Sequence, residues 1–161
     1  MKHNKEVREE VLKSVIGLTD SQLNEKPTGK WSIMQVLEHL YLLERLIVHQ
    51  MSKLMNSDEE AVIEDKPINQ IIDRTSKFDA PSYVTPSDEF MTLTTIQEKL
   101  HKSRSALEAF IVDADEEKML KRTIPHPVFG PFHLKQWVEI IGWHEKRHLE
   151  QIEEIKAELG L

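Results

Sequence analysis

The sequence predicts an all-α fold, a four-helix bundle with a long connection between its second and third helices. Four segments repeat apolar residues at three- and four-residue steps, which is the spacing of one buried helix face. Only 5 glycines and 7 prolines occur in 161 residues, too few for the many turns of an all-β protein. Because 161 residues is the size of one ordinary domain, residues 1–161 are predicted to form a single domain.

The first two predicted helices are marked by apolar stripes and by end signals. The first is short, and Gly17 lies near its end. The second begins at Ser32, which has the capping-box spacing to Gln35, and continues to about Met55. The stripes consist of Val7, Val11, Val15 and Leu18 in the first helix, and of Ile33, Val36, Leu40, Leu43, Ile47, Met51 and Leu54 in the second.

Prolines separate the remaining elements. Residues 56–88 contain Pro67, Pro81 and Pro86 and predict a long connection, with a short turn of helix around residues 68–72. The third helix is predicted over residues 87–111 and the fourth over residues 132–159. Between these two helices, prolines at 125, 127 and 131 exclude a helix and predict an extended arm.

Charge and composition exclude several classes of function. The chain has 28 acidic and 21 basic residues, a net charge of −7, so its surface is expected to repel nucleic acid and anionic lipid. No secretory signal is visible, and charged residues interrupt the apolar stretches, which predicts no membrane span. The absence of cysteine fits a cytoplasmic protein. It also means that nitrogen and oxygen atoms must hold any metal.

Two histidines lie within the apolar stripe of the fourth helix. His144 and His148 are four residues apart, which places both imidazoles on the same helix face. Such a pair can bind one divalent ion, and imidazole suits zinc, nickel, copper or iron. The best candidate for a third ligand is His39, at the edge of the apolar face of the second helix. The alternative is that these histidines are only packed or hydrogen-bonded.

Residues 144–148 also match the zinc-protease pattern H-E-x-x-H, in which the glutamate activates water. Such proteases usually take a third ligand from downstream, and no histidine follows His148, so this alternative is disfavoured. Glu145 is a candidate general base, although its rotation of about 100° from His144 predicts a surface position. Four histidines without a partner at ligand spacing are also expected at the surface: His3, His49, His101 and His133.

Three stretches along the chain carry a family resemblance. They are Trp31-Ser32 with His39-Leu40, the arm sequence His126-Pro127-Val128-Phe129-Gly130, and Trp143-His144 to His148 with Gln151-Ile152. With these stretches the chain resembles the DinB-like superfamily, including its YfiT-type metalloenzymes and its bacillithiol S-transferase-like members. The resemblance implies an antiparallel four-helix bundle with a long crossover between helices 2 and 3. It further implies a homodimer and a metal triad of His39, His144 and His148.

The leading functional hypothesis follows from this resemblance. It is a metal-dependent S-transferase that joins a low-molecular-weight thiol of the bacillithiol type to a small electrophile, with one divalent ion, zinc or nickel, as cofactor. Two alternatives stay open. One is a metal-dependent hydrolase that uses metal-activated water, with Glu145 as its base, and the other is a non-catalytic bundle that binds a ligand or partner. His126 and Phe129 on the arm are candidates for lining the pocket, with packing at the end of the bundle as the alternative.

Overall fold

The computed structural model describes residues 1–68 and 81–161. In these two ranges the chain forms six α-helices, a short 3-10 helix at Ser82–Val84 and one two-stranded sheet. The helices and strands, in chain order, are α1 (Lys2–Ser14), α2 (Asp20–Asn24), α3 (Ile33–Leu54), α4 (Leu93–Asp113), α5 (Glu116–Lys121), β1 (Thr123–His126), β2 (Gly130–His133) and α6 (Leu134–Leu159).

The four long helices, α1, α3, α4 and α6, form the predicted four-helix bundle. α3 and α4 are parallel neighbours, because Glu38 contacts Lys99 near their starts and Glu44 contacts Arg104 further along both helices. α1 and α6 are also parallel. Asn4 donates a hydrogen bond to the Val138 carbonyl near the starts of both helices, and Lys156 donates one to the Ser14 carbonyl near their ends. The start of α3 packs with the end of α6, so the two parallel pairs run in opposite directions. Parallel neighbours need a long crossover, which residues 55–92 provide.

Polar caps account for the helix starts. Ser32 caps α3: its Oγ accepts a hydrogen bond from the Gln35 amide at 3.1 Å, and the Gln35 side chain accepts one from the Ser32 amide. This confirms the predicted capping box. α4 begins at Leu93 rather than at residue 87, because the Thr92 hydroxyl provides its cap. Ser87 instead donates to the Glu38 carboxylate, so its backbone belongs to the connection.

The proline-rich arm is extended, as predicted, and it folds back on itself as a β-hairpin. β1 and β2 pair antiparallel, with Thr123 opposite His133 and His126 opposite Gly130. Gly130 has φ of 73°, a left-handed conformation that glycine adopts without strain. The helices α2 and α5 are absent from the sequence prediction, because elements of 5 and 6 residues are too short to show an apolar period. The predicted turn of helix at residues 68–72 falls almost entirely outside the described residues.

The core consists of two apolar clusters stacked along the bundle. Leu40 and Leu100 belong to the first cluster. Ile47 and Leu107, each seven residues or about two helical turns further along the same helices, belong to the second. At the boundary between the clusters lie four buried charged side chains, one from each long helix: Arg8, Glu44, Arg104 and Glu145. No helix in the described ranges is long and apolar enough to cross a membrane.

The four buried charges form one ion-pair cluster. Arg104 lies 2.7 Å from Glu44 and 2.6 Å from Glu145. Arg8 contacts both carboxylates, at 3.0 Å in the case of Glu44, and Ser103 donates a further hydrogen bond to Glu44. Two cations balance two anions, which limits the cost of burying them. The cluster therefore ties all four long helices together at one level of the bundle.

Candidate metal centre

Three histidines from two antiparallel helices meet on one side of the bundle. His39 lies in the second turn of α3, and His144 and His148 lie one turn apart on α6. The Nε2 atom of His144 is 3.3 Å from that of His39 and 3.1 Å from that of His148. One ring nitrogen of each residue lies within 4.8 Å of the other two. The structure thus brings together the three histidines that the sequence predicts as ligands.

Hydrogen bonds on the far side of two imidazoles fix their orientation. The Nδ1 atom of His39 lies 2.8 Å from the Val84 carbonyl oxygen, which can only accept, so His39 carries its proton on Nδ1. The Nδ1 atom of His148 lies 2.8 Å from Oε1 of Gln151 in the same arrangement. Both rings therefore direct an unprotonated Nε2 toward His144. The sequence hints at Gln151 through its three-residue spacing from His148, whereas Val84 lies in a connection without periodicity.

The histidines sit in an environment that favours the neutral imidazole. His39 and His148 are buried, and His144 is half-buried. Burial lowers the pKa of His39. It also lowers the pKa of His144 well below its usual value, and the neighbouring His148 and His39 lower it further. Neutral imidazole is the form that binds a metal, so these shifts favour ligation near neutral pH.

Two of the three distances between the ring nitrogens match those of ligands on one small divalent ion. Zinc binds imidazole nitrogen at about 2.0–2.1 Å, so two such ligands at a tetrahedral angle lie about 3.3 Å apart. The two Nε2–Nε2 distances to His144, 3.3 and 3.1 Å, are close to that value, and the donor nitrogens of His39 and His148 lie within 4.8 Å of each other. Three histidine ligands leave a fourth position for a small molecule, which is typical of catalytic rather than structural sites. The donor set of three imidazoles accepts nickel as well as zinc.

The three histidines line an elongated cavity of about 870 Å³ between α3, α6 and the hairpin. His126 and Phe129 also lie in its wall, with their ring centroids 5.0 Å apart. His126 stacks on Trp137, whose indole N–H donates to the Ile124 carbonyl at 2.9 Å. The two arm residues therefore line the cavity and also pack against the end of the bundle.

Glu145 is not the surface residue that its rotation from His144 predicts. It is 1% exposed, and its Oε1 accepts hydrogen bonds from both Arg8 and Arg104. Burial raises the pKa of the Glu145 carboxyl, and the two guanidinium groups oppose that rise. Among the described residues that line the cavity, Glu145 is missing. Its side chain therefore serves the ion-pair cluster, and nothing in the geometry supports the role of a general base.

Two other histidines also depart from their expected surface positions. His133 is buried and caps α6: its Nδ1 accepts from the Gln136 amide at 3.1 Å, and its Nε2 lies 2.6 Å from Asp65. His3 is half-buried and packs on Trp143 with 4.6 Å between the ring centroids. A histidine that caps a helix or packs on a tryptophan ring needs no second histidine at ligand spacing, so the absence of such a partner does not imply a surface position. The other two are exposed, as expected: His49 and His101.

His126 is expected to make the stability of the protein depend on pH. Its Nδ1 accepts from the amides of Val128 and Phe129, and burial lowers the pKa of His126 from 6.5 to about 4. Between these values the unfolded chain binds more protons than the folded one, so stability is lost as the pH falls from 6.5 toward 4. After allowance for solvent at the ring, we expect a contribution of about 1–2 kcal/mol.

The matched variant for this test is His126→Asn, whose amide oxygen can accept the same backbone hydrogen bonds without titrating. Urea unfolding of both proteins at several pH values should give a smaller decrease in stability for the variant. Equal decreases in the two proteins would show that His126 is not the source of the pH dependence.

The chain is thus a helical bundle made of two parallel helix pairs, and its candidate metal site is a group of three histidines in a cavity. The model of the DinB superfamily matches residues 3–152. The protein YuaE of Bacillus subtilis (strain 168) is 36% identical over 155 residues, which cover 96% of this chain and 95% of YuaE. The chain therefore belongs to the DinB superfamily.

Solved structures of other proteins share the fold. YfiT from Bacillus subtilis, described as a probable metal-dependent hydrolase with an unusual four-helix bundle topology, is 19% identical with a TM-score of 0.65. The similarity covers 99% of this chain and 85% of YfiT. TT2238, a four-helix bundle protein, is 18% identical with a TM-score of 0.65, over 95% of this chain and 94% of its own. At these identities the two structures show the fold.

Proposed function

We propose that this protein is a metal-dependent S-transferase that joins a low-molecular-weight thiol of the bacillithiol type to a small electrophile. His39, His144 and His148 would hold one zinc or nickel ion. The observation that carries the proposal is a group of three converging histidines inside a cavity of about 870 Å³, which has room for two small molecules. When bound, the ion lowers the pKa of the thiol and so makes it a better nucleophile at neutral pH.

The chain's own residues orient the three ligands. Val84 and Gln151 hold the imidazoles of His39 and His148 in place, which pre-organises the centre. In the transfer, the thiol sulfur forms a carbon–sulfur bond with the electrophile. The thiol proton passes to water, and the leaving group departs with the electron pair of the broken bond.

The position of the carboxylates favours thiol transfer over hydrolysis. In a metal-dependent hydrolase, a general base close to the metal-bound water assists the attack. Glu145, next to His144, is bound to Arg8 and Arg104. The carboxylates in the described cavity wall, Glu154 and Glu158, follow His148 on α6 by about 9 and 15 Å along the helix axis. A thiol is more acidic than water and therefore depends less on such a base.

A metal-dependent hydrolase is the second candidate. The observation that favours it is the description of YfiT, which shares the fold, as a probable metal-dependent hydrolase. The two candidates differ in whether turnover requires an added thiol.

The test is transfer of bacillithiol to monochlorobimane, followed by fluorescence, with zinc-loaded and chelator-treated protein. We expect turnover only when zinc and thiol are both present. His148→Ala should lose at least 100-fold in rate, because two imidazoles hold the ion more weakly than three. The matched control is His101→Ala, which removes an exposed histidine of α4 and should leave the rate unchanged. Metal-dependent cleavage of p-nitrophenyl acetate without any thiol, together with no thiol transfer, would replace the proposal by the hydrolase.

A further inference from the structure

The cavity is divided by the three histidines into two halves of different chemistry. It extends along α3 from His39 to Leu54, and along α6 from Trp137 to Glu158. Because α3 and α6 are antiparallel, the end of α3 and the start of α6 meet at the hairpin. The start of α3 and the end of α6 meet at the opposite end of the cavity. His39, His144 and His148 lie between these ends.

The half next to the hairpin is apolar and aromatic. Its wall is built mainly from Leu46, Leu54, Val128, Phe129, Trp137 and Ile140. The indole N–H of Trp137 is already bonded to the Ile124 carbonyl, so the ring offers apolar surface to a ligand. His126 adds no charge near neutral pH, because burial lowers its pKa to about 4. Among the described lining residues of this half, the charged one is Lys53, an exposed residue in the last turn of α3.

The other half carries most of the charged side chains of the cavity wall, beside the apolar side chains of Trp31 and Ile155. Lys30 and Glu158 form an ion pair across its end, and Arg147, Gln151 and Glu154 line the wall between that pair and the histidines. Polar and ionic groups of this kind bind a hydrophilic ligand by replacing its contacts with water. An uncharged, apolar molecule gains nothing from these ionic groups. It gains more by leaving water for the hairpin half, whose wall has fewer of them.

We propose that the hairpin half of the cavity binds an uncharged, apolar electrophile, and that the charged half binds the polar thiol. The assignment rests on the proposed S-transfer, since it places the two substrates of that reaction on opposite sides of the histidines. The sulfur of one substrate then meets the reacting carbon of the other at the centre. The class of electrophile is thus small aromatic or aliphatic molecules without a charge, and anionic or cationic electrophiles are poor substrates.

The test is binding of N-phenyl-1-naphthylamine, a neutral apolar fluorophore, to the full-length, chelator-treated protein. We expect saturable binding of one molecule, because the apolar half needs no metal. Leu46→Gln should weaken this binding at least tenfold, since the amide has to lose water when the probe enters. Phe129→Ser, on the hairpin, is the second variant and should act in the same direction. Circular dichroism confirms that each variant is folded.

Two matched controls test whether the probe binds in the apolar half of the cavity. Glu154→Gln changes the charged half, and Val112→Gln changes an exposed apolar residue of α4 outside the cavity; both should leave probe binding within twofold. Absence of saturable binding, or binding that neither apolar-half variant weakens, would overturn the assignment. Failure of the S-transfer is a separate result: a protein that binds the probe as expected but transfers no thiol would contradict the proposed reaction. A protein that transfers thiol but binds no probe would contradict the assignment alone.

Discussion

Replacing Glu145 with alanine should lower the free energy of unfolding by about 3–5 kcal/mol, the range for breaking a buried ion pair by removing one partner. The side chain is 1% exposed and accepts hydrogen bonds from Arg8 and Arg104. Without it, two guanidinium groups remain buried beside a single carboxylate, that of Glu44. The measurement is urea unfolding monitored by circular dichroism.

The matched control is Glu150→Ala, which removes an exposed glutamate from the same helix and should change stability by less than about 0.5 kcal/mol. A second variant separates loss of charge balance from loss of packing. In Arg104→Met/Glu145→Met one charge of each sign is removed, so Arg8 and Glu44 stay paired. This double variant should be more stable than Glu145→Ala alone. Equal losses in Glu145→Ala and Glu150→Ala would show that the buried cluster contributes nothing to stability.

Zinc should stabilise the protein by about 3–4 kcal/mol when its free concentration is 100–1,000 times its dissociation constant, because the ion binds the folded chain preferentially. The three Nε2 atoms converge only in the folded state, since His39 is separated from His144 and His148 by more than half of the chain. Thermal unfolding with zinc, and with a chelator, measures the difference. His39→Ala should abolish it.

His101→Ala is again the control, and it should keep the full stabilisation by zinc, because its imidazole is exposed and no described residue of α4 lines the cavity. A parent protein with the same melting temperature in zinc and in chelator would contradict ligation by the folded triad. Stabilisation that persists in His39→Ala would place the ion elsewhere.

Local patterns in the sequence predict the long helices and the triad well. Ser32 with Gln35 marks the start of α3 through a contact three residues apart, so no tertiary information is needed. The spacing of His144 and His148 places both rings on one face for the same reason. His39 is different, because its meeting with α6 depends on packing between helices. Its position at the edge of an apolar helix face makes His39 a candidate ligand, and the family resemblance implies that it is the third member of the triad.

The surface position predicted for Glu145 is wrong, because its side chain is buried in the ion-pair cluster. The charge of Glu145 and its rotation relative to His144 predict a surface position. The sequence contains a second signal: Glu145 follows Ile141 by four residues, and Arg104 follows Leu100 by four residues and precedes Leu107 by three. Charged residues at apolar-stripe positions on several helices can pair with each other in the core. Which of them pair depends on the directions of the helices, and single-helix periodicity does not contain that information.

Local sequence patterns also do not predict the hairpin or the two halves of the cavity. The prolines of the arm exclude a helix, yet the antiparallel pairing of β1 and β2 depends on the turn that ends at Gly130. The cavity is a gap between α3, α6 and this hairpin, so its chemistry appears only when the three are assembled. The resemblance to the DinB superfamily indicated His126 and Phe129, without indicating that they close an apolar half.

The most direct measurement is the metal content of the purified, untagged protein by elemental analysis, alongside His39→Ala and His148→Ala. We expect close to one zinc or nickel ion per chain in the parent protein and loss of that ion in both variants. A parent protein that contains no divalent metal, and takes up none when zinc or nickel is added back, would contradict the metal centre and with it the proposed transfer reaction.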